Sequence, residues 1–226
     1  MKKVLIATPC LYGKVDAYYV HSICESIKLG MKHDLALNAV FLANESILPM
    51  ARNELFGLAV RNDYDHMVFI DDDEYWDPKT LIDILLSPKD VITVPVVNKG
   101  DKKIEYNVYP FTPLQAPDSD GYLLAKKTGT GFLKLSKNVI QDLWNSNPDI
   151  IFRGKQLKNI CEYTYVNDEF VGEDISLCTK ISELGYKIWI NPTHTVAHMG
   201  PKMYKGDFAK SYNLNENTTI QSVAQR

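Results

Sequence analysis

The chain opens on an apolar run at residues 3–8, KVLIAT, which reads as a buried first strand. Residues 16–29 then place Tyr19, Val20, Ile23, Cys24 and Ile27 near helical spacing and stop at Gly30, predicting a helix. The alternation recurs. LALNAVFL at 35–42 reads as a second strand, 47–60 as a second helix and HMVFI at 66–70 as a third, buried strand. A short helix over 78–86 starts on a proline, and VITVPVV at 91–97 follows as another strand. Strands separated by helices imply a parallel sheet.

After Asn98 the pattern breaks into short β-like pieces at 104–109, 122–126 and 131–135, split by the turn clusters NKGD and PDSDG, so mixed or antiparallel strands are expected there. Helices over 136–144 and 173–184, the latter closed by Gly185, and a strand over 187–190 complete the predicted core. The expected architecture is one α/β domain over residues 1–210. Its 1–97 half is Rossmann-like, its central sheet is mostly parallel, and its 98–210 half holds a small antiparallel part. The polar stretch 211–226 reads as a loose tail or an arm packing on a neighbouring copy, as in a homodimer.

Composition narrows the class. With 45% hydrophobic and 23% charged residues among 226, the chain matches a soluble globular protein and not a disordered, collagen-like or disulfide-stapled one. No apolar run approaches the roughly 20 residues that span a bilayer. The two lysines of MKKVLIATPC suit a signal peptide, but Pro9 and the polar residues at 12–16 cut the apolar segment short. Cys10, Cys24, Cys161 and Cys178 form no CxxC pair, so reduced thiols and a cytoplasmic setting are expected. Net charge is −3, split as −6 over residues 1–125 and +3 over 126–226. Acids gather between Asp63 and Asp77 while lysines recur after Lys126, a hint of a cation site beside an anion-attracting surface.

The segment HMVFIDDDEYWDP runs a buried strand directly into three aspartates. In an extended chain Asp71 and Asp73 share a side and Asp72 faces away. The carboxyl end of a parallel strand is where open α/β sheets bind ligands, and two close carboxylates are ordinarily held as anions by a divalent cation. A metal–diphosphate site is one reading, and a solvated acidic turn before the Asp77-capped helix is the other. In the second segment, FVGEDISLCTKISELGYKIWINPTHTVAHMG, Glu173 and Asp174 open an amphipathic helix, either to complement its dipole or to hold a general base in a cleft. His194 and His198 follow at a spacing that shares one face of a strand. An imidazole from His198 added to two carboxylates favours Mn²⁺ over Mg²⁺. Tyr12, Tyr75, Trp76, Tyr109 and Trp189 are candidates to stack on a base or acceptor, with ordinary packing as the alternative.

Taken in order, FIDDD, then VGEDISLCTKISELGYKIWINP, then VAH resembles metal-dependent, family-2-like glycosyltransferases of the GT-A fold, of the compact type found in bacteriophages and large DNA viruses. The strand ending in Thr8-Pro9 and the helix start Leu48-Pro-Met-Ala-Arg52-Asn53 add to the likeness, which spans about residues 3–200. The resemblance implies a DxD pair, with Asp73 the direct metal ligand, Asp71 nearer the ribose or a metal-bound water, and His198 the third protein ligand. It implies Asp174 as the base on the acceptor hydroxyl and Glu173 as a partner of sugar or acceptor hydroxyls. Thr8, Pro9, Arg52 and Asp72 fall at nucleotide-contacting positions, with Tyr12 and Asn44 near the base. Gly129-Thr-Gly131 matches the turn beneath the donor sugar. The implied cosubstrate is a nucleoside-diphosphate sugar, a UDP-sugar, used with Mn²⁺ or Mg²⁺ and inversion at the anomeric carbon. The implied acceptor is a glycan, a protein or a hydroxymethylated DNA base, with a host-cytoplasmic setting if the source is viral. Tyr75-Trp76 is bulkier than the usual residues after DxD. Rival readings are a nucleotidyltransferase, which would ordinarily carry a glycine-rich phosphate loop where residues 8–14 hold only Gly13, a non-catalytic nucleotide- or glycan-binding module, and a dehalogenase-type phosphatase.

Overall fold

A computed structural model describes residues 1–100 and 103–214. The predicted tail therefore falls largely outside the described residues, apart from 211–214, where Leu214 packs against the core. In chain order the elements are β1 (Lys2–Cys10), α1 (Ala17–Met31), β2 (Leu35–Ala43), α2 (Leu48–Arg61), β3 (His66–Ile70), β4 (Glu74–Tyr75), α3 (Pro78–Leu86) and β5 (Val91–Thr93). Then come β6 (Val108–Pro110), β7 (Leu123–Thr128), β8 (Phe132–Ser136), α4 (Lys137–Ser146), β9 (Asp149–Phe152), β10 (Lys155–Lys158), β11 (Thr164–Val166) and β12 (Glu169–Val171). The chain closes with α5 (Glu173–Glu183), β13 (Ile188–Ile190), β14 (Ala197–Met199), β15 (Met203–Tyr204) and α6 (Phe208–Ser211).

The central sheet has eight strands in the order β2-β1-β3-β8-β5-β13-β7-β6. β1 pairs in parallel with β2 and β3, and β5 with β13, whereas β8 runs antiparallel between β3 and β5, and β7 between β13 and β6. Only β8 and β7 oppose the common direction, so the sheet is mixed in pairing although most of its strands run one way. Side chains of β1 alternate between two buried layers. Leu5 and Ala7 join Phe56 and Phe69 on one face, while Val4 and Ile6 join Trp76 and Phe132 on the other.

Two expectations change at this level. The run 91–97 is a strand only over Val91–Thr93, because Pro95 has no N–H for a ladder; Val96 and Val97 keep single bridges to Val196 and Tyr106. Trp76 is not a stacking surface. It is 1% exposed, its indole N–H donates to Ser26 Oγ at 3.0 Å, and its ring meets Tyr19 edge-on at 5.0 Å. Residues 149–171 form two hairpins, β9–β10 and β11–β12, and β4 joins β14 and β15 in a third small sheet. Among the described residues no helix is long and apolar enough to cross a membrane.

His66 begins β3 in a buried position, and neither ring nitrogen has a partner among the described residues. Burial, and then the nearby Lys134, lower its pKa from 6.5 to about 4. The folded state thus binds fewer protons than the unfolded chain between those values, and stability falls as pH drops through that window. From pH 7.5 to 5 the loss from this group is about 2 kcal/mol. His66→Phe is expected to flatten that part of the stability–pH curve, measured by urea unfolding at each pH.

Candidate active site

β3 is buried on both faces and ends at Ile70, so the chain must leave the sheet as DDDE at the carboxyl edge shared with β1. The Asp71 N–H donates to the Gly131 carbonyl at 3.1 Å, which fixes the start of the acidic turn against β8. Asp72 turns toward β1 and α1, where its carbonyl accepts the Asp16 N–H at 3.0 Å. Burial, and then Asp73, raise its pKa. The three aspartates lie in a turn beyond the strand, so strand alternation does not set their directions.

Arg52 joins this turn to α5. The second turn of α2 carries its side chain into the interior, 2% exposed. There Nη2 donates to Asp71 Oδ1 at 3.2 Å, and Nε lies 3.5 Å from Glu173 Oε1. The guanidinium sits over the Phe69 ring at 5.1 Å. Burial works against its charge, and Asp71 and Glu173 more than offset that, so its pKa is raised. The neighbouring Asn53 clamps the backbone of Cys161, accepting from its N–H at 2.8 Å and donating to its carbonyl at 3.0 Å. One helix start therefore holds both the acidic turn and the root of the segment leading to β11. Asp174 is half-buried, and its Oδ1 accepts the Ile175 N–H at 2.7 Å, holding the carboxylate at the N-terminus of α5.

β14 brings His198 opposite Glu74 of β4, and the Met199 N–H donates to the Asp73 carbonyl at 2.7 Å. His198 Nδ1 lies 3.0 Å from the Val97 carbonyl, which can only accept, so Nδ1 carries the hydrogen. Nε2 lies 3.0 Å from Asp73 Oδ1. Two acceptors at that distance require a positive species between them, either a second ring proton or a metal ion. Lys99 donates to the other Asp73 oxygen. Burial alone would raise the Asp73 pKa, but the His198 and Lys99 hydrogen bonds outweigh it and leave the group below its ordinary value. The Asp73–His198 donor pair fits a divalent cation. Asp71 is held by Arg52 through Oδ1, and among the described residues no group of three His, Cys, Asp or Glu side chains is gathered to hold a metal.

Glu74 was not singled out by the sequence, although it directly follows the aspartates. It is 1% exposed, its Oε2 has no partner among the described residues, and burial, then Asp71 and Asp73, push its pKa well above the carboxylate range. Its Oε1 lies 2.2 Å from where a Cβ on residue 131 would stand, which is why that position is glycine. Lys99 had no motif to announce it. Of the residues placed near the nucleotide, Thr8 is fully buried with its hydroxyl 2.6 Å from that of Tyr19, and Pro9 is buried beside it. Tyr12 is 79% exposed at the β1 edge, where the Asn44 N–H donates to the Leu11 carbonyl at 3.2 Å. Arg52 lies beneath Asp71 and is not at the surface. His194 parts from His198 and holds Asp83 at 2.8 Å.

No protein-family model and no curated protein matches the sequence. Solved structures do. A197 from STIV superposes with a TM-score of 0.51 at 15% identity, over 88% of this chain and 86% of that one. Residues 1–349 of S. aureus TarS in complex with UDP-GlcNAc give 0.42 at 15% identity, over 93% of this chain and 61% of that longer one. A glycosyltransferase involved in the glycosylation of the major capsid of PBCV-1 gives 0.34 at 13% identity, over 64% and 66%. The first likeness establishes the fold, a single α/β domain of GT-A-like architecture.

Proposed function

We propose that this protein is a metal-assisted glycosyltransferase that moves a sugar from a nucleoside-diphosphate sugar, a UDP-sugar, to an acceptor hydroxyl. The observation that carries the reading is the Asp73–His198 pair, two acceptors 3.0 Å apart at the mouth of a parallel-strand edge, with Asp174 on the neighbouring helix start. Asp73 and His198 would hold the ion, and the imidazole donor favours Mn²⁺. When bound, the ion neutralises charge growing on the departing diphosphate. In this reading Asp71, held by Arg52, contacts the nucleotide and the exposed Tyr12 covers the base.

On the other side Asp174 takes the proton of the acceptor hydroxyl as that oxygen bonds to the anomeric carbon and the bond to the diphosphate breaks. A base opposite the leaving group gives direct displacement and inversion. The same cleft suits a nucleotidyltransferase less well, because the turn after β1 offers no run of backbone N–H groups from a glycine-rich loop. The test is release of nucleoside diphosphate from UDP-glucose, UDP-galactose and UDP-GlcNAc with Mn²⁺. Release abolished by a chelator supports the reading. Release of pyrophosphate from CTP or UTP plus a sugar phosphate would replace it with the rival.

A further inference from the structure

The β11–β12 hairpin ends at Val171 and leads through Gly172 straight into Glu173 and Asp174. It carries aromatic side chains that the core does not use. Tyr165 is 72% exposed, Phe170 60% and Tyr163 51%. These rings are organised, with Phe170 against Tyr163 at a centroid distance of 5.5 Å and against Tyr165 edge-on at 5.8 Å. Contiguous exposed apolar surface on a folded domain marks a binding site more often than an accident.

The platform is rigid at its root. Asn53 clamps Cys161 from α2, and Lys180 of α5 donates to the carbonyls of Asn159 and Ile160 at 2.6 and 3.0 Å and pairs with Glu162 at 2.7 Å. Tyr163 also lies within the field of the catalytic acids, since burial, and then Glu173, raise its phenol pKa. The hairpin turn, Asn167-Asp168, adds polar groups at the tip, both with positive φ.

We propose that this hairpin is the acceptor platform and that the acceptor is a neutral oligosaccharide. A pyranose presents an apolar C–H face and a rim of hydroxyls. The aromatic rings receive the face, and Asn167 and Asp168 at the turn accept the hydroxyls. Charge decides against a polyanion. Of the four carboxylates in residues 163–174, Glu173 is buried against Arg52, which leaves three acids and no lysine or arginine on the segment, so a nucleic acid would meet repulsion where it needs counter-charge. That removes modified DNA from the acceptors expected from the sequence. Calling the ligand an acceptor rests on the transferase reading, whereas the saccharide surface stands without it.

The test is an array of neutral oligosaccharides, with hits titrated by saturation-transfer NMR, alongside a single-stranded DNA oligonucleotide. Wild type is expected to bind saccharides of at least one class and not the DNA. Tyr165→Ala and Phe170→Ala should each weaken saccharide binding by about tenfold, while Tyr165→Phe retains it. The thermal shift of the alanine variants with UDP and Mn²⁺ should match wild type, which separates loss of the platform from loss of the fold. Binding of DNA in preference, no saccharide bound across the array, or wild-type saccharide affinity in both alanine variants would overturn the proposal. Saccharide binding with no nucleotide-induced shift in wild type would instead sink the transferase reading and leave the platform standing.

Discussion

Asp174→Asn is expected to bind nucleotide and metal as wild type does and to lose transfer by about 10²–10⁴-fold, the range that a positioned general base supplies. The amide keeps an oxygen to accept the Ile175 N–H, so the start of α5 should be preserved. It has no basic oxygen for the acceptor's proton. The loss should therefore fall on kcat and leave the KM for donor near its wild-type value. Steady-state kinetics over a range of donor concentrations measure both. A variant with wild-type kcat would show that proton removal happens elsewhere.

The second large effect is predicted at Arg52. Replacing it with methionine keeps most of the volume but strips the counter-charge from Asp71 and Glu173 at once. Removing one partner of a fully buried ion pair costs about 3–5 kcal/mol; the Asp71 side chain, 39% exposed, can turn to water, so a loss of about 2 kcal/mol is expected here, most of it from Glu173. Arg52→Met is expected to lower stability by that amount in urea unfolding and to abolish activity in whatever fraction stays folded. Arg52→Lys places one point charge where a planar fork spans two carboxylates, so stability should recover in part and activity less. Undiminished activity in Arg52→Lys would mean that the link from the acidic turn to α5 has no role in positioning.

How much of this was legible depended on how local the cause was. HMVFI is a strand because five successive apolar residues are buried on both faces, and β3 covers the predicted residues. The helix over 78–86 begins on its proline with Asp77 accepting the Lys79 N–H, and α5 opens at Glu173 as its glycine and acids indicated. Side-chain destinations were a different matter. Arg52 has the chemistry of a phosphate contact, but its place under Asp71 is fixed by α2 packing on the sheet. The meeting of Asp73 with His198 follows from β4 pairing with β14, 125 residues away in the chain, and Lys99 is brought to Asp73 by the segment bridged at Val96 and Val97. The hairpins of 149–171 did leave a local signal. Arg153-Gly154 and Asn167-Asp168 are two-residue turns with positive φ between β-prone triplets, and reading them as such would have found the aromatic platform.

The central claim, that the acidic turn binds a nucleoside diphosphate through a metal, is tested most directly by thermal unfolding with UDP, GDP, CDP or dTDP, each with Mn²⁺ and with a chelator, in wild type and Asp73→Asn. Ligand at 100 times its Kd adds about 2.7 kcal/mol to stability. The predicted result is a rise with UDP and Mn²⁺ that disappears with chelator and in Asp73→Asn. No metal-dependent rise with any of the four nucleotides, or an equal rise in Asp73→Asn, would contradict it.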